Sequence, residues 1–315
     1  MAEGKKRLFT GLQPSGILHI GNYFGALKPF VDTYGEYDSM LMVADYHSLT
    51  SLKDPKALRE NIIDVVRSYL AAGVDPEKAI IFKQSDIQEH TELAWIFETL
   101  VTVPFLELAH AYKDKVAKGL EANAGLFNYP MLMAADILLY DTDVVPVGAD
   151  QKQHVEYARE AASKFNNAYG ETFKEPKEVI LESVGTVPGT DGQKMSKSYK
   201  NTIPLFGSKE EIAAAVMGIV TDSSGERPAN VYAIHKLFKT EAELEPLYGE
   251  KKGKYKDLKE ALIEDIEAAV APMRSKYNSI NEDEVKRVLK NGAEKARALA
   301  QAKMKDIKEK IGVTI

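Results

Sequence analysis

Two segments far apart in the sequence carry residue types suited to binding phosphate. The first, residues 10–22, reads TGLQPSGILHIGN. Its glycines let the backbone approach a ligand closely, and His19 and Asn22, three residues apart on the opening turn of a helix, can donate hydrogen bonds to phosphate oxygens. We interpret the segment as a phosphate site. A plain glycine turn before a helix is the alternative.

The second segment, residues 187–198, reads VPGTDGQKMSKS and places Lys194 and Lys197 three residues apart. Lysines on a Gly- and Ser-rich loop can bring positive charge to a polyphosphate as negative charge develops in a transition state, and such differential stabilisation accelerates a reaction. The alternative interpretation is a solvated linker, in which Lys, Ser and Gly are ordinary.

A third feature is a single carboxylate in an apolar strip. Tyr129, Met133 and Asp136 are spaced by four and three residues, so they share one face of a predicted helix. An uncompensated buried carboxylate is costly, so Asp136 requires a hydrogen-bond donor. Residues 123–151 contain no Lys or Arg. An ion pair within the helix is therefore excluded, whereas a distant Lys or Arg stays possible.

Short apolar runs that alternate with helical patterns must position these side chains. The predicted buried strands are Arg7–Thr10, Ser39–Ala44, Ala79–Gln84, Val144–Val147 and Glu178–Leu181. One helix between them has a full set of end signals, with Asp54 as N-cap, Pro55 in the first turn and Gly73 as its stop. Such alternation predicts an α/β fold with a doubly wound, Rossmann-like parallel sheet.

The last third of the chain lacks strand signals. Amphipathic patterns predict helices at residues 208–220, 261–270 and 282–310, and the stretch 221–230 is predicted to be a loop. We therefore expect a catalytic domain at residues 1–205 that contains both phosphate motifs, followed by a C-terminal α-helical domain at residues 206–315. Trp95 is expected to pack in the core or at an interface.

The amino-acid composition excludes several kinds of functional site. The 315 residues include no cysteine, which excludes disulfides, zinc knuckles, iron–sulfur clusters and thiol nucleophiles. The six histidines form no metal-binding spacing. The net charge of −6 argues against non-specific nucleic-acid coating, while the balanced segment 206–315, with 20 basic and 19 acidic residues, is the better place for a polyanion. Without an apolar leader or a long apolar run, we expect a soluble, cytoplasmic protein that does not enter a membrane.

PSGILHIGN and KMSKS together resemble the two signature sequences of class I aminoacyl-tRNA synthetases, in the order and with the wide spacing of that family. The stretches YPMLMAADILLY, VPVGADQKQHVE and ADYHSLT are more similar to the tryptophan-specific branch than to its tyrosine-specific relative. The resemblance implies activation of L-tryptophan by ATP to tryptophanyl-adenylate, with Mg²⁺ carried on ATP, and transfer to the terminal adenosine of a tRNA.

The resemblance also implies the residues of the site. Asp136 accepts the indole N–H, and Gln13, Tyr129 and Gln151 hold the ammonium and carboxylate ends of the amino acid. The tryptophan-binding residues are Phe9, Gln13, His47, Tyr129, Met133, Asp136, Val145, Val147 and Gln151. The ATP-binding residues are Gln13, Pro14, Ser15, Gly21, Asn22, Gly148, Ala149, Asp150, Val187, Lys194, Met195, Ser196, Lys197 and Ser198. The catalytic residues are His19, Asn22, Lys194, Lys197 and either Lys115 or Lys113.

Partners follow from the same resemblance, which implies tRNA binding by the helical domain and a homodimer. The lysines at positions 251, 252, 254 and 256 are interpreted as a solvated helix end, with an RNA contact as the alternative. Three other functions remain open: a tyrosyl-tRNA synthetase, a non-catalytic synthetase-like protein that binds tryptophan or RNA for regulation, and a small adenylyltransferase. The intact lysines and glycines favour catalysis, and the helical region disfavours the adenylyltransferase.

Overall fold

The computed structural model describes residues 4–119, 122–146, 152–179, 186–221 and 227–315. Within these ranges five parallel strands form one sheet. In chain order they are β1 (Arg7–Leu12), β2 (Asp38–Val43), β3 (Ala79–Lys83), β4 (Val144–Pro146) and β5 (Lys177–Val179). Their order across the sheet is β3-β2-β1-β4-β5. The prediction of a parallel, Rossmann-like sheet is confirmed, while Val147 of the fourth predicted strand and Ile180 and Leu181 of the fifth lie outside the described ranges.

The strand order creates a crevice beside β1. From β1 the chain adds β2 and β3 on one side and later returns to add β4 and β5 on the other. The register pairs Arg7 with Asp38 at the start of β1 and Leu12 with Val43 at its end, while Leu8 pairs with Val144 across the switch. Ligands of open α/β sheets bind outside the carboxyl ends of the strands at such a switch point.

Helices cover this part of the chain. They are α1 (Ile20–Asn22), α2 (Lys28–Thr33), α3 (Asp45–Ser48), α4 (Pro55–Ala72), α5 (Glu89–Glu98), α6 (Val103–Leu106), α7 (His110–Ala117), α8 (Ala124–Leu138) and α9 (Lys152–Tyr169). A π-helical segment, Tyr23–Leu27, joins α1 to α2. The end signals of α4 act as predicted: the Asp54 carboxylate accepts hydrogen bonds from two backbone N–H groups of the first turn, and Gly73 ends the helix in a left-handed conformation with φ of 112°.

The C-terminal region is helical, as predicted. Its helices are α10 (Lys209–Met217), α11 (Ala229–His235), α12 (Glu241–Glu250), α13 (Tyr255–Ser279) and α14 (Glu282–Lys310). Reciprocal hydrogen bonds between Ser208 and Glu211 fix the start of α10, and Thr240 with Glu243 does the same for α12. The predicted loop at 221–230 is shorter than expected, since α11 already begins at Ala229; residues 222–226 lie outside the described ranges.

Both faces of the sheet are buried. Alternate residues of β1 point to opposite sides, so Leu8 joins the apolar cluster beneath α4 and α13, while Phe9 joins the cluster beneath α5, α8 and α9. Helix α14 also contributes to the second cluster, through Ala293, Ala296 and Ala300. The last helix of the chain therefore shares a core with the sheet. The boundary between a catalytic domain and a helical domain at residues 205/206 stays a prediction.

Trp95 is an exception to the buried aromatic residues. Its side chain is 67% exposed on α5, so the expectation of core packing is wrong for this residue in the single chain. Packing at an interface is the alternative that remains. Among the helices in the described ranges, none has the length and apolarity that crossing a bilayer requires.

Candidate active site

A cavity of about 690 Å³ opens at the carboxyl edge of the sheet and brings the two motifs together. Gln13 follows β1, His47 lies on α3 after β2, and Val145 lies on β4, so the strand ends converge on the cavity. The predicted site residues that line it are Phe9, Gln13, Ser15, Gly21, Asn22, His47, Tyr129, Met133, Asp136, Val145 and Lys194. One space therefore holds the apolar strip of α8, the glycine-rich segment and the first lysine of the second loop.

Asp136 lies at the inner wall of this cavity with only 1% of its surface exposed. His47 Nε2 lies 2.8 Å from Asp136 Oδ2. Gln84 Nε2 donates to both carboxylate oxygens, at 2.9 and 3.0 Å. The ring nitrogen Nδ1 of His90 lies 2.6 Å from Oδ1, at ion-pair distance but without the alignment of a hydrogen bond. The requirement that Asp136 have a donor is met by the Gln84 amide and the His47 ring.

These neighbours keep the carboxylate ionised. Burial by itself would raise the pKa of Asp136, but the electrostatic effect of His90 and the hydrogen bond from His47 lower it to about 2. At neutral pH the side chain therefore acts only as an acceptor. A negative acceptor in the wall of an apolar pocket favours ligands that present a hydrogen-bond donor to it, because an apolar group there would displace water from the carboxylate without replacing its hydrogen bond.

Gln84 and His90 are functional residues that the sequence analysis missed. Gln84 is fully buried at the end of β3 and also accepts a hydrogen bond from the backbone N–H of His47, at 3.3 Å. His90 Nε2 lies 2.8 Å from the hydroxyl of Tyr140, so its second ring nitrogen is held as well. Gln84 carried a usable signal, since it is a polar residue at the carboxyl end of a predicted strand. His90 carried none.

Aromatic and apolar side chains form the rest of the inner pocket. The Phe9 ring stacks on that of Tyr140 with centroids 5.6 Å apart, and the Tyr129 ring meets the His47 ring edge-on at 6.3 Å. Burial raises the pKa of the Tyr129 hydroxyl, so it stays protonated at neutral pH. The pocket can therefore enclose a flat apolar ring system of which one edge reaches Asp136.

His19 has a role in the structure that differs in part from the predicted one. It is the N-cap of α1: its Nδ1 accepts from the backbone N–H of Asn22 at 3.3 Å, while Asn22 Oδ1 accepts from the backbone N–H of His19 at 3.1 Å. Burial, followed by the charge of Lys197, lowers the pKa of His19 to about 4. The ring is therefore neutral at pH 7, and its Nε2–H remains to donate a hydrogen bond to a ligand.

Gly21 provides close access at the same turn. A Cβ atom there would lie 2.9 Å from Nδ1 of His19 and 3.2 Å from Cβ of Met195. Any side chain would thus displace one of the two motifs. The glycine lets them approach each other and exposes the backbone to the cavity, as the sequence predicts.

The second loop is a small hairpin anchored by its apolar residues. Val187 and Met195 are buried in the core, and the Met195 N–H donates to the Val187 carbonyl at 2.9 Å. This bond fixes the Val187 backbone, and the contact of Val187 with adenine stays a prediction. Lys194, between the anchored residues and the tip, is exposed and lines the cavity.

Asn201 organises this loop from beneath and was also missed by the sequence analysis. It is 2% exposed; its amide Nδ2 donates to Asp191 Oδ1 at 2.7 Å and to the Lys194 carbonyl at 3.1 Å, and its Oδ1 accepts from the Ser196 N–H at 2.7 Å. Three hydrogen bonds from one buried side chain therefore fix the backbone on both sides of Lys194. Its position three residues after KMSKS was the only sequence signal.

The two motifs are bonded to each other. Backbone hydrogen bonds join Ile20 N–H to the Ile203 carbonyl and Leu205 N–H to the Leu18 carbonyl, both at 3.0 Å. The Lys197 ammonium donates to the Ser15 carbonyl at 2.8 Å. Desolvation by the surrounding protein lowers the pKa of Lys197. A phosphate chain in the cavity would thus meet the first motif on one side. On the other side it would meet the second loop, residues 187–198, which we call the lysine loop.

The remaining predicted residues do not contribute to the described cavity wall. Val147, Gly148, Ala149, Asp150 and Gln151 lie outside the described ranges. Pro14 is buried in the first segment, and Ser196 caps the short turn that contains Ser198. Lys113 and Lys115 lie on α7 and are not among the lining residues.

Comparison with known proteins identifies the class of this site. Residues 1–304 match the family described as tRNA synthetases class I (W and Y). The chain belongs to this family. It is 49% identical to the Tryptophan--tRNA ligase of Fusobacterium nucleatum subsp. nucleatum over 319 residues, which cover 98% of both chains. It is 48% identical to the Tryptophan--tRNA ligase of Campylobacter jejuni, covering 98% of this chain and all of the relative.

Solved structures of this synthetase family have the same fold over nearly the whole chain. The tryptophanyl-tRNA synthetase from Campylobacter jejuni complexed with ADP and tryptophan superimposes with a TM-score of 0.91 at 46% identity, covering 97% of this chain and 99% of that one. The enzyme from Mycoplasma pneumoniae gives 0.84 at 31% identity, with 98% of both chains covered. The predicted class I family, its tryptophan-specific branch and its enzymatic nature are confirmed.

Proposed function

We propose that the chain is a tryptophan–tRNA ligase that activates L-tryptophan with ATP and transfers it to the 3′-terminal adenosine of its tRNA. The observation that carries this proposal is the buried, ionised Asp136 at the end of an aromatic pocket that continues into the cleft between the two motifs. A ring system with a donor on its far edge would add a hydrogen bond to this carboxylate beside those from His47 and Gln84.

Indole fits this requirement. It has one N–H donor and no acceptor, and its two fused rings need the apolar walls formed by Phe9, Met133 and Val145. Phenylalanine would leave Asp136 without a ligand donor. Tyrosine does carry a donor, but its single ring differs in width and reach, so shape separates it from tryptophan.

The amino acid is activated by attack of its carboxylate on the α-phosphorus of ATP. A bond forms between a carboxylate oxygen and the α-phosphorus, the bond from that phosphorus to the bridging oxygen breaks, and pyrophosphate leaves with the electron pair. A carboxyl group with a pKa near 3.5 is already ionised at neutral pH, so the reaction needs no general base. The neutral state of His19 agrees with a role that does not include taking up a proton.

Catalysis then rests on positioning and charge. Lys194 and Lys197 neutralise the charge that builds up on the departing pyrophosphate, while Asn22 and the backbone at Gly21 hold the phosphates from the other side. Mg²⁺ enters with ATP as part of the substrate. The family resemblance assigns the adenosine to Gly21 and the segment 147–151, and it assigns Lys115 or Lys113 of α7 to the phosphates.

Transfer to tRNA requires further surfaces, for which we propose the helical region at residues 206–315 and a homodimer. Trp95 of α5, Val103 of α6 and Leu108 just after α6 are apolar side chains that are each at least half exposed. Burial of such side chains against a second copy would explain their exposure. Trp95→Glu is then expected to yield monomers in sedimentation analysis, while the unchanged protein sediments as a dimer. As a supplier of charged tRNA the enzyme would work in the cytoplasm.

The experiment that tests the proposed function is ATP–pyrophosphate exchange with all twenty amino acids, followed by aminoacylation of tRNA with those that react. Exchange with tryptophan, and charging of tryptophan tRNA, is the expected result. Exchange with tyrosine in its place would identify the tyrosine-specific relative. Tryptophan binding without any exchange would identify a non-catalytic regulator.

A further inference from the structure

The last helix, α14, lies against the edge strand β3 at backbone contact. A Cβ atom on Gly292 would be 1.8 Å from the carbonyl oxygen of Ile81, so only glycine allows the observed approach. This contact fixes the height of α14 along β3. Residues further along the helix therefore face the segment that follows β3, which is the short 3₁₀ turn Gln84–Asp86.

Arg297 is the residue of α14 that reaches this turn. Its Nη2 donates a hydrogen bond of 2.9 Å to the carbonyl oxygen of Asp86, in a half-buried setting. A guanidinium bond to a carbonyl is among the stronger hydrogen bonds in proteins because the donor is charged. The C-terminal helix thus holds the carboxyl end of the Gln84–Asp86 turn.

The turn has a second attachment, to Asp45 of α3. The Asp45 carboxylate accepts from the Ser85 N–H at 3.0 Å and from the Ser85 hydroxyl. Asp45 at Ser85 and Arg297 at Asp86 together fix the two residues of the turn that follow Gln84. The side chain that this backbone carries is Gln84, whose amide nitrogen donates to both oxygens of Asp136.

Helix α14 also contacts the other elements that surround Asp136. The Lys308 ammonium pairs with Glu92 at 2.7 Å on α5, the helix that carries His90. The Lys303 ammonium pairs with Asp141 at 2.6 Å, just after α8, the helix that carries Asp136 itself. These two ion pairs attach α14 to elements that carry His90 and Asp136, but they do not involve the turn that carries Gln84. Arg297 differs because its partner lies in the turn that directly positions a donor to the carboxylate.

We propose that Arg297 is a positioning residue for recognition of the substrate's ring N–H, acting through Asp86 and Gln84 on Asp136. It fixes the direction of the carboxylate rather than touching the substrate. The inference rests on the proposed function, in which Asp136 accepts the indole N–H. It assigns a specificity role to a helix that reaches the sheet from the C-terminal end of the chain.

The test compares two substrates on each preparation of the full-length protein. Tryptophan donates its N–H to Asp136, whereas β-(3-benzothienyl)alanine has nearly the same shape but carries sulfur in place of the N–H. In Arg297→Gln, kcat/KM for pyrophosphate exchange with tryptophan should fall about tenfold, and that for the sulfur analogue less than about twofold. The ratio of the two values does not depend on the fraction of folded enzyme, so partial misfolding cannot imitate the effect.

Two further variants complete the design. Arg297→Lys keeps a charged donor and should hold the ratio within about twofold of the wild-type value. Arg287→Gln removes an exposed arginine of the same helix and should leave the ratio unchanged. An unchanged ratio in Arg297→Gln, whether both substrates weaken equally or neither weakens, overturns the inference. A wild-type protein that fails to activate tryptophan would instead refute the proposed function.

Discussion

The side-chain ammonium of Lys197 donates a 2.8 Å hydrogen bond to the carbonyl oxygen of Ser15, although 182 positions separate the two residues in the chain. The bond joins the lysine loop to the glycine-rich segment at the rim of the cavity. A neutral carbonyl is a weaker partner for an ammonium than a phosphate oxygen. When ATP enters, we expect Lys197 to exchange this partner for the phosphate chain, so that the lysine loop tightens on the nucleotide.

Replacement of Lys194 tests the role of the loop in catalysis. Lys194→Ala should lower kcat of pyrophosphate exchange by about 10²- to 10³-fold, because the ammonium stabilises charge that appears on the departing pyrophosphate. Tryptophan affinity, measured by equilibrium binding without ATP, should change little, since Lys194 belongs to the second loop and makes no contact with Asp136 or its hydrogen-bond partners. A normal turnover number in this variant would refute the role.

Asn201 tests whether the shape of the loop is needed as well as its charge. Asn201→Ala removes three hydrogen bonds beneath Lys194 without altering any charge. We expect kcat to fall and KM for ATP to rise, each by about tenfold, because the lysines lose their fixed placement. Kinetics with varied ATP check this, with Asn167→Ala on the exposed side of α9 as the matched control. Wild-type kinetics for both variants would contradict the positioning role.

His19 predicts a specific dependence of stability on pH. Its pKa is about 4 in the folded chain and near 6.5 when unfolded, so between these values the unfolded state binds more protons. The free energy of unfolding should therefore decrease as the pH falls from 6.5 to 4, by up to about 3 kcal/mol from this group, and level off below.

The variant His19→Asn isolates this contribution. Asparagine is a good N-cap, so the cap of α1 is kept while the titrating ring is removed. Denaturant unfolding near pH 7 and near pH 4.5 should show a smaller loss of stability on acidification in the variant than in the wild type. Equal losses in the two proteins would show that His19 is not held neutral.

Much of the fold follows from local patterns in the sequence. The strands and α4 were predictable because their signals are local: buried apolar runs, an N-cap aspartate and a glycine stop. The path of α14 was not. Its amphipathic pattern predicts a helix with one buried face but does not say which partner covers it, and the contact of Gly292 with β3 depends on tertiary packing.

In the candidate site, too, some residues could be predicted from the sequence and others could not. Asp136 could be predicted, together with its need for a donor, since a lone carboxylate among apolar residues implies a partner. The identity of that partner could not, because Gln84 and His90 approach from different segments that only the folded sheet brings together. The role of His19 as a cap was likewise hidden, since its type and position suit either a ligand contact or a helix start.

The most direct test of the central claim, that Asp136 selects the amino acid, is the ratio of kcat/KM for tryptophan to kcat/KM for phenylalanine in pyrophosphate exchange. Asp136→Ala, with Asp136→Asn as the variant that best preserves the pocket's shape, should lower this ratio by about 100-fold or more, since the penalty against a ring without a donor disappears with the carboxylate. A ratio equal to the wild-type value in both variants would contradict the claim.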